Sequence, residues 1–598
     1  MSENNEKKVL LSLRDVVVQF NVRGRILTAI RNVSLDVYEN ESLAIVGESG
    51  SGKSVLTKTF AGMLDGNGFI PQGTIIFSDD EISKTDAKLD GVNTWIFNQS
   101  MAMLNKHSML ERGAAEYRAY IDKKNQVEHA QALSPDEEAD FALRLKEISN
   151  DIIDKNNYLW TLDRKADAEE CKRVNDQIKE LESKRAEVEK EKTGLAKSRA
   201  STYKNDGERR EADKKRLEEL KALREKKIAT PDVEGNPNGL TDKVLERNRI
   251  LAYEVVLSIS RFPFFTKMKF MTVLDKAFKT AMSIGENLDD ENVRNKIFET
   301  VSFRVAFRSY EEESRTLHGY CILDCAKIKF TNDWQKIRGA RIATVFQDPM
   351  TSLNPVIPIG KQIMTVILKH QQCSQAEARE RTIDIMRKVG IPEPEKRFND
   401  YPFEYSGGMR QRIVIAIALS CQPKILICDE PTTALDVTIQ AQIIRLIKDL
   451  QKELGFTTVY ITHDLGVVAN VAERVAVLYG GQIVEMGTVE EIFYEPKHPY
   501  TWALLSSLPQ LCEKGTDLFS IPGTPPSLYN KIVGDAFAPR NQYAMAIDLV
   551  EEPPMFQVSP THFAKTWLLD PRAPKTEAPA NIQNLHEKIQ KTYVDFDA

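Results

Sequence analysis

Residues 47–54 match the pattern G-x-x-x-x-G-K-[ST], reading Gly47-Glu48-Ser49-Gly50-Ser51-Gly52-Lys53-Ser54. The apolar run LAIV precedes them and VLTKTFAGML follows, which predicts a strand, a loop and a helix in that order. In that setting the backbone N–H groups of the loop wrap phosphate oxygens at the positive end of the helix. The Lys53 ammonium then lies near the β- and γ-phosphates of a nucleotide, and the Ser54 hydroxyl coordinates Mg²⁺. The alternative is a Gly/Ser-rich surface loop, which the flanking strand and helix disfavour.

A second apolar strand ends in two acidic residues. The run ILIC is followed by Asp429 and Glu430. Asp429 is suited to hold the Mg²⁺ shell, and Glu430 is placed to polarise a water molecule as a general base. Two acids after a strand also occur as ordinary solvated charges, so the functional interpretation depends on the neighbouring motifs.

The sequence Tyr405-Ser406-Gly407-Gly408-Met409 comes just before the helical run QRIVIAIALSC and the acidic strand. Ser-Gly-Gly before a helix is otherwise a common N-cap. Here it resembles the LSGGQ signature of ATP-binding-cassette (ABC) proteins, with Tyr in place of Leu and Met in place of Gln. With the motifs in this order, the chain resembles ABC nucleotide-binding subunits.

The resemblance implies a fold and further site residues. The implied fold is an α/β P-loop NTPase cassette, with a RecA-like core, an antiparallel β subdomain and a helical subdomain. Gln347 in VFQDPMTSLNP matches the Q-loop, which touches Mg²⁺ and water and senses the transmembrane partner. Asp436 in TTALD matches the D-loop, which communicates across a dimer. His463 in YITHD matches the switch histidine, which contacts the γ-phosphate.

The family pattern also implies a composite ATP site. Two cassettes pair head to tail, and each ATP lies between the phosphate loop of one and the signature of the other. The expected catalytic residues are Lys53, Gln347, Glu430 and His463, and the expected magnesium ligands are Ser54, Gln347 and Asp429. Phe20 resembles the aromatic residue that stacks on adenine, although it also closes an apolar strand, so a core role is equally open. The other expected nucleotide contacts are Gly47, Ser49, Gly50, Ser51, Gly52, Ser406, Gly407, Gly408 and Asp436.

A closer resemblance is to the ATP-binding subunits of oligopeptide and dipeptide permeases. It rests on the runs IRGARIATVFQDPMTSLNPV, HPYTWALLSSLP and PGTPPSL, of which the last two lie outside the ATP chemistry. It implies an ATPase that drives peptide import as a peripheral protein on the cytoplasmic face of the cell membrane. The implied partners are a second, related ATPase subunit, two transmembrane permease subunits and an extracellular substrate-binding protein. Import of another small solute, such as nickel, is the alternative within this class.

Members of this group often carry four cysteines near the C-terminus that ligate an iron–sulfur cluster. Here Asp535, Asn541, Asp548 and Thr566 stand at the matching positions. A cluster of that type is held by thiolates. The sequence therefore predicts ATP and Mg²⁺ as ligands and no iron–sulfur cluster.

The chain between the first strands and Gln347 is far longer than this family requires. Residues 79–325 are rich in Glu and Lys, and Val174, Leu181, Val188 and Leu195 repeat every seven residues. This pattern predicts a mostly α-helical, coiled-coil-like antiparallel hairpin with a turn at 205–207. Its role is open between a tolerated surface excursion and a docking arm or regulatory element. The full division is a first cassette segment at 9–78, the insertion at 79–325, a second cassette segment at 326–490, a C-terminal extension at 491–572 and a flexible tail at 573–598.

Charge and hydropathy exclude other classes. The chain has 81 Lys and Arg against 87 Asp and Glu, a net charge of -6, which argues against a nucleic-acid partner. No apolar stretch reaches the length of about 18 residues that a membrane-spanning helix needs. The seven scattered cysteines fit a reducing cytoplasm.

Two rival functions remain to be weighed. One is an ABC ATPase of DNA maintenance, but in those proteins the coiled coil typically follows the Q-loop, whereas here it precedes Gln347. The other is a regulatory subunit that binds ATP and barely hydrolyses it. Intact Glu430 and His463 argue against that second possibility.

Overall fold

The computed structural model describes residues 7–161, 167–231, 233, 239–433, 435–507, 521–530, 532–579 and 582. The chain divides into two compact units. Met1–Ser83 and Ile322–Ala598 together form what we call the main unit. Lys84–Cys321 forms what we call the inserted unit.

The main unit opens with a long antiparallel hairpin. Strand β1 (Val9–Val22) pairs with β2 (Arg25–Tyr38), and both residues of the turn, Arg23 and Gly24, have positive φ. Such a turn matches the right-handed twist of the strands that it joins. The elements that follow are β3 (Ser42–Val46), α1 (Lys53–Phe60), β4 (Gly68–Phe77) and α2 (Asp80–Ser83).

The inserted unit begins and ends on strands of one small antiparallel sheet. The order of that sheet is β5-β7-β6, and Lys84 of the first strand pairs with Tyr320 of the last. The sequence predicted the helices of this region but not the sheet, because strands such as KTDAK carry no apolar alternation. In chain order the elements are β5 (Lys84–Lys88), α3 (Gly91–Ser108), α4 (Ala114–Gln131), α5 (Pro135–Thr161), α6 (Ala168–Asn205), α7 (Gly207–Ala229), α8 (Asp242–Ile259), α9 (Phe264–Ile284), α10 (Glu291–Phe298), β6 (Val305–Glu311) and β7 (Thr316–Cys321).

Helices α5 and α6 pack in opposite directions. Arg199 Nη1 donates to Glu137 Oε2 at 2.7 Å, and Arg144 Nη2 donates to Glu191 Oε2 at 2.9 Å. Successive positions along α5 therefore contact positions in reverse order along α6, as in an antiparallel pair. Leu133, Phe141 and Val188 form a small core beside these contacts. A turn was predicted at 205–207. In the structure α6 ends at Asn205 and α7 begins at Gly207, so Asp206 alone separates the two helices. Residues 162–166 lie outside the described residues.

The second part of the main unit supplies most of its helices. Its short β8 adds to β4, because Leu323 pairs with Phe77 and Asp324 pairs with Ile76. The elements are β8 (Leu323–Asp324), α11 (Thr331–Ile337), β9 (Ile342–Val345), α12 (Pro349–Ser352), α13 (Ile359–His370), α14 (Gln375–Lys388), α15 (Pro394–Arg397), α16 (Gly407–Leu419), β10 (Ile425–Asp429), α17 (Val437–Leu454), β11 (Thr457–Thr462), α18 (Leu465–Val471), β12 (Arg474–Tyr479), β13 (Gln482–Thr488), α19 (Val489–Tyr494), α20 (Pro499–Ser506), β14 (Phe556–Gln557) and β15 (Phe563–Ala564).

The main unit is built on an eight-stranded sheet with the order β14-β15-β13-β12-β3-β11-β10-β9. The neighbours from β12 to β9 run parallel, and β13, β14 and β15 add antiparallel strands at the other edge. Val46 at the end of β3 lies beside Thr462 at the end of β11, and Asp429 at the end of β10 lies beside Ile461. The carboxyl ends of these parallel strands therefore meet at one edge, which is where ligands of such sheets bind. The parallel α/β core and the separate antiparallel sheet agree with the fold class expected from the sequence.

The predicted insertion at 79–325 is slightly wider than the inserted unit. Asp79–Ser83 and the strand at Leu323 lie in the main unit, and the latter is held there by its pairing with β4. No helix among the described residues is long and apolar enough to cross a membrane. Of the tail predicted from 573 onward, only 573–579 and 582 are described, and residues 508 and 509 of the HPYTWALLSSLP run also lie outside the described residues.

Candidate functional site

The loop between β3 and α1 requires glycine at two positions. Gly47 has φ of 154°, and a Cβ there would lie 2.1 Å from the Leu478 carbonyl oxygen. Gly52 has φ of 104° and caps α1, and a Cβ there would lie 2.8 Å from the Ala29 carbonyl oxygen. L-residues with side chains avoid such backbone angles. The first N–H groups of α1 are left to face this loop, which is the arrangement that binds phosphate.

The other loop residues differ in exposure. Ser49 and Gly50 lie at the surface. Ser51 is buried, and its hydroxyl has no hydrogen-bond partner within the described part of the chain. Its backbone carbonyl accepts from Gly481 N at 3.0 Å. Buried polar groups are normally hydrogen-bonded. The Ser51 hydroxyl lies in the same loop as the free N–H groups at the start of α1, so it is suited to donate to a phosphate oxygen bound there.

Lys53 holds its ammonium against the loop. Nζ donates to the carbonyl oxygens of Gly47 at 2.7 Å and Glu48 at 2.9 Å, and the side chain is buried. Burial lowers the pKa of Lys53, and the nearby carboxylates of Glu430 and Asp429 oppose that shift. The sequence placed this cation beside the phosphates, and the structure places it inside the loop that would hold them.

Ser54 and Asp429 form the group that could hold Mg²⁺. Ser54 Oγ donates to Asp429 Oδ1 at 3.2 Å, although 375 residues separate them in sequence. Burial raises the pKa of Asp429, and the bond from Ser54 counters part of that shift. Hydroxyl and carboxylate oxygens are the hard ligands that Mg²⁺ prefers, and it completes its shell with water and phosphate. No cluster of three His, Cys, Asp or Glu side chains suited to a metal occurs in the described ranges.

Glu430 is held by side chains from three directions. Gln347 Nε2 donates to its Oε2 at 2.7 Å, and His463 Nδ1 lies 2.9 Å from its Oε1. Thr433 Oγ1 donates to Oε2 at 3.0 Å. Glu430 itself has φ of 45°, and its N–H donates to the Ile461 carbonyl oxygen, so the backbone turns sharply as it leaves β10. Sequence reasoning missed Thr433, whose position three residues after Glu430 in a turn was the available signal.

The structure thus brings together six of the predicted residues at the carboxyl edge of the parallel sheet. The hydrogen bonds described above join three pairs: Ser54 with Asp429, Gln347 with Glu430, and His463 with Glu430. Lys53 lies at the same edge, because the loop that its ammonium contacts leaves the carboxyl end of β3. Such a set can bind a triphosphate and its metal ion and can accept a proton from water.

The signature residues occupy the start of a different helix. Ser406 is the N-cap of α16, but its side chain makes no capping hydrogen bond, and Ser406 and Gly407 are exposed. Gly408 packs closely on Ile439 of α17, where a Cβ would lie 2.6 Å from Ile439 Cγ2. Asp436 caps α17 by accepting from Ile439 N at 3.2 Å. Ser406, Gly407 and Asp436 are therefore exposed on the main unit, whereas Gly408 is packed against α17.

Phe20 lies near the end of β1, and the sequence left both adenine stacking and a core role open for it. Its side chain is buried in the antiparallel sheet, where it pairs with Leu27 and packs on Gly68. An aromatic ring that stacks on adenine needs one open face. Adenine stacking by Phe20 therefore stays a prediction.

The four residues at the family cysteine positions each support a local turn. Asp535 accepts from Phe537 N at 3.0 Å, and Asp548 accepts from Met545 N at 2.6 Å. Asn541 accepts from Tyr543 N at 2.9 Å, and Thr566 accepts from Leu568 N at 3.3 Å. Their side-chain oxygens are engaged in backbone hydrogen bonds, and none of the four supplies sulfur.

Asp535 makes the stability of this region depend on pH. Burial raises its pKa to about 6 from 3.8, the Phe537 N–H lowers it, and the charge of Asp548 raises it further. Because the folded pKa lies above the unfolded value, the folded chain retains a proton that the unfolded chain releases. The resulting stability is present below about pH 4 and is lost as the pH rises through 6.

Asp535→Asn is therefore expected to raise the free energy of unfolding by about 1–3 kcal/mol at pH 7.5. The amide keeps an acceptor for Phe537 N and removes the charge. Urea unfolding of the two proteins should show this gain shrinking as the pH falls from 7.5 to 4.5. An equal gain at both pH values would mean that the charge of Asp535 is not the cause.

Two family descriptions match the chain. "ABC transporter" matches residues 30–158 and 311–433, and "Oligopeptide/dipeptide transporter, C-terminal region" matches residues 484–547. The first match includes the phosphate loop, Gln347 and the acidic strand. The second includes the HPYT run and the turns at Asp535 and Asn541.

Curated relatives are similar to about half of this chain. The oligopeptide transport ATP-binding protein AmiE of Streptococcus pneumoniae is 60% identical over 311 residues, which are 52% of this chain and 85% of that protein. OppD of Bacillus subtilis, an oligopeptide transport ATP-binding protein, is 59% identical over 262 residues, 44% of this chain and 73% of that protein. DppD of Lactococcus lactis, a dipeptide transport ATP-binding protein, is 54% identical over 305 residues, 51% of this chain and 86% of that protein.

The matches cover most of each relative and about half of this chain. The part of this chain that the relatives do not match agrees with the presence of the inserted unit. The resemblance predicted from the signature, the HPYT run and the PGTPPSL run is confirmed. The chain belongs to the family of ATP-binding proteins of oligopeptide and dipeptide ABC transporters.

Proposed function

We propose that this chain hydrolyses ATP to power the import of oligopeptides or dipeptides through partner permeases. The observation that carries the proposal is the meeting of the phosphate loop, Asp429, Glu430, Gln347 and His463 at one edge of the sheet. The relatives named above are described as oligopeptide or dipeptide transport proteins, which favours peptide import over DNA maintenance and over nickel uptake.

Each residue has a defined task in this proposal. The Lys53 ammonium exchanges the Gly47 and Glu48 carbonyl oxygens for β- and γ-phosphate oxygens, while the loop N–H groups hold the rest. Ser54, Asp429 and Gln347 would hold Mg²⁺, which neutralises charge on the phosphates. Glu430 accepts the proton of the attacking water, and His463 contacts the γ-phosphate.

The attacking water needs a carboxylate that is fixed in place. Glu430 is oriented by the donors of Gln347 and Thr433 and lies against His463. A general base that is held in one orientation loses little entropy in the transition state. Because Gln347 touches this carboxylate, a movement of the loop after β9 would reach the proton acceptor directly.

We propose that a second ATPase subunit completes each site. Ser406 and Gly407 are exposed at the start of α16, so their hydroxyl and N–H groups are open to a nucleotide on another subunit. The family pattern favours a related but distinct chain as that partner. ATP would then hold the two subunits together until it is hydrolysed.

An apolar surface beside Gln347 suits a membrane-protein partner. Met350, Val356 and Phe403 are 61%, 76% and 66% exposed. Arg410 donates to the Phe403 carbonyl oxygen and contacts Met350, so Phe403 and Met350 lie together, and Val356 follows Met350 in the same loop region. Large apolar side chains that cluster at a surface mark interaction sites. We propose that this surface binds the two permease subunits, that the chain lies at the cytoplasmic face of the membrane, and that a substrate-binding protein acts on the outside.

The remaining ligand assignments are ATP and Mg²⁺, with no iron–sulfur cluster and no nucleic acid. The turns at Asp535, Asn541, Asp548 and Thr566 use oxygen atoms in place of thiolates. A net charge of -6 gives no general attraction to phosphate backbones.

Transport by the reconstituted complex tests the proposal. The chain is purified from its native membrane together with the proteins that accompany it, and the complex is reconstituted in proteoliposomes. ATP and Mg²⁺ are supplied on the side of the bilayer where the chain is bound. Labelled di- to hexapeptides should be transported in an ATP-dependent manner, and an unrelated solute such as Ni²⁺ should not. ATP hydrolysis without peptide movement would retain the ATPase assignment and reject the peptide.

We also propose that the inserted unit is not needed for ATP chemistry, because every residue placed in the site belongs to the main unit. Lys84 and Tyr320 are paired across β5 and β7, so a short Gly-Ser linker can replace residues 85–320. The variant is expected to hydrolyse ATP within about threefold of the wild-type complex, since loop length costs little. A folded variant without ATPase activity would contradict this.

Peptide transport by the same deletion variant distinguishes the two roles left open for the insertion. Loss of transport with retained hydrolysis supports a docking arm. Full transport supports a passive surface excursion.

A further inference from the structure

The C-terminal extension reaches into the phosphate loop. Arg540 Nη1 donates to Glu48 Oε2 at 2.7 Å, and Nη2 donates to Glu48 Oε1 at 3.1 Å. Glu48 is the second residue of the loop, and 492 residues separate the partners in sequence. A two-pronged guanidinium–carboxylate contact fixes geometry as well as charge.

The Arg540 side chain is itself fixed and almost wholly buried. Only 8% of Arg540 is exposed. Its Nε donates to the Pro522 carbonyl oxygen at 2.9 Å, and Nη1 also lies 3.2 Å from the Tyr479 hydroxyl. Breaking a buried ion pair is costly because it leaves one charge without compensation. The pair is therefore a rigid contact and not a loose surface bridge.

A second contact from the extension holds the same loop residue by its backbone. Glu48 N donates to the Tyr500 hydroxyl at 2.8 Å. The Tyr500 ring is fully buried and packs on Tyr479 and Phe537, with ring centroids 4.5 and 5.3 Å away. Side chain and backbone of Glu48 are thus both bound by residues of the C-terminal region. Tyr500 belongs to the HPYT run, which the ATP chemistry did not explain.

The pairing matters because Glu48 is an acid inside a loop that receives a triphosphate. A carboxylate there repels the phosphates unless its charge is compensated. Arg540 supplies that compensation within hydrogen-bond distance. Because Arg540 fixes Glu48, it also helps to fix the backbone around Glu48. The Gly47 and Glu48 carbonyl oxygens that bind Lys53 belong to this part of the loop.

We propose that Arg540 and Tyr500 are positioning residues for ATP, which hold the phosphate loop in its binding form through Glu48. The inference rests on the proposed function only in taking ATP as the ligand. The extension is then a part of the nucleotide site, acting through the loop without touching the nucleotide.

The test compares the ATP dependence of hydrolysis in the purified complex for wild type, Arg540→Gln, Glu48→Gln and the double variant. Arg540→Gln is expected to raise KM for ATP about tenfold and leave kcat within about twofold, because it leaves an unpaired carboxylate beside the phosphates. Adding Glu48→Gln removes that carboxylate, so the double variant should return to within about threefold of the wild-type KM. Tyr500→Phe, which removes only the acceptor of Glu48 N, should raise KM by about threefold.

A matched control is Glu552→Gln. Glu552 also joins the extension to the rest of the main unit, since it accepts from Arg31 at 3.1 Å and from Gln482 at 2.7 Å, but it does not bind Glu48. This control should leave KM for ATP unchanged. Thermal unfolding of every variant identifies any that are misfolded.

Recovery of KM in the double variant distinguishes a positioning role of Arg540 from a general contribution of Arg540 to the stability of the fold. An unchanged KM in a folded Arg540→Gln complex would overturn the proposal, and so would a double variant as impaired as Arg540→Gln alone. Absence of hydrolysis by the wild-type complex would instead reject the proposed function. For that case, binding of a fluorescent ATP analogue by the full chain gives the same comparison as a dissociation constant.

Discussion

Glu430→Gln is expected to lower kcat for ATP hydrolysis by at least about 100-fold, while ATP binding is retained. The amide has the size of the carboxylate and can still accept from Gln347 and Thr433, so the loop after β10 should keep its shape. It is far too weak a base to take the proton of the attacking water. The bound nucleotide should therefore accumulate as unhydrolysed ATP.

Phosphate release and ATP retention by the purified complex measure this directly. Glu453→Gln serves as the control, because Glu453 is a surface acid of the same unit whose partner is Lys388 at 3.0 Å. The control should hydrolyse ATP at the wild-type rate. Unchanged hydrolysis in Glu430→Gln would mean that another group accepts the proton.

The second large effect is expected from Lys53→Ala, which should weaken ATP binding by about 100-fold and abolish measurable hydrolysis. The ammonium is a positive charge buried inside the loop, and alanine leaves nothing to balance the β- and γ-phosphates. The two carbonyl oxygens that Lys53 now binds would face the phosphates instead, which adds repulsion.

Titration with a fluorescent ATP analogue measures the binding loss. Lys452→Ala removes one positive charge from the exposed end of α17 and should bind the analogue as the wild type does. Tight binding by a folded Lys53→Ala protein would contradict the role given to this residue.

Much of the site could be predicted from the sequence because its chemistry is local. The glycines at 47 and 52 are needed by the backbone of one turn, and Lys53 and Ser54 follow in the same turn. Asp429 and Glu430 end an apolar strand, and strands of this kind place their last residues at the ligand-binding edge. Motif order then gave Gln347 and His463, and the structure brings both to Glu430.

What the sequence could not give depends on contacts between distant residues. Nothing around Arg540 indicates that it binds Glu48, since the pair forms only when the C-terminal region folds against the loop. The contact between Phe20 and Gly68 likewise depends on how β1 pairs with β4, which the local sequence of either strand does not specify. The sheet of the inserted unit was missed for a similar reason, because β5 gains its pairing from β7 across the whole insertion.

Separate stretches of this chain are expected to converge on one magnesium-bound triphosphate. A structure of the purified complex with Mg²⁺ and a non-hydrolysable ATP analogue tests this expectation most directly. We predict Lys53 on the β- and γ-phosphates, Ser54 and Asp429 at the metal ion, and Glu430 facing the γ-phosphate between Gln347 and His463. A nucleotide bound elsewhere, or a phosphate loop that is empty at saturating analogue, would contradict the account.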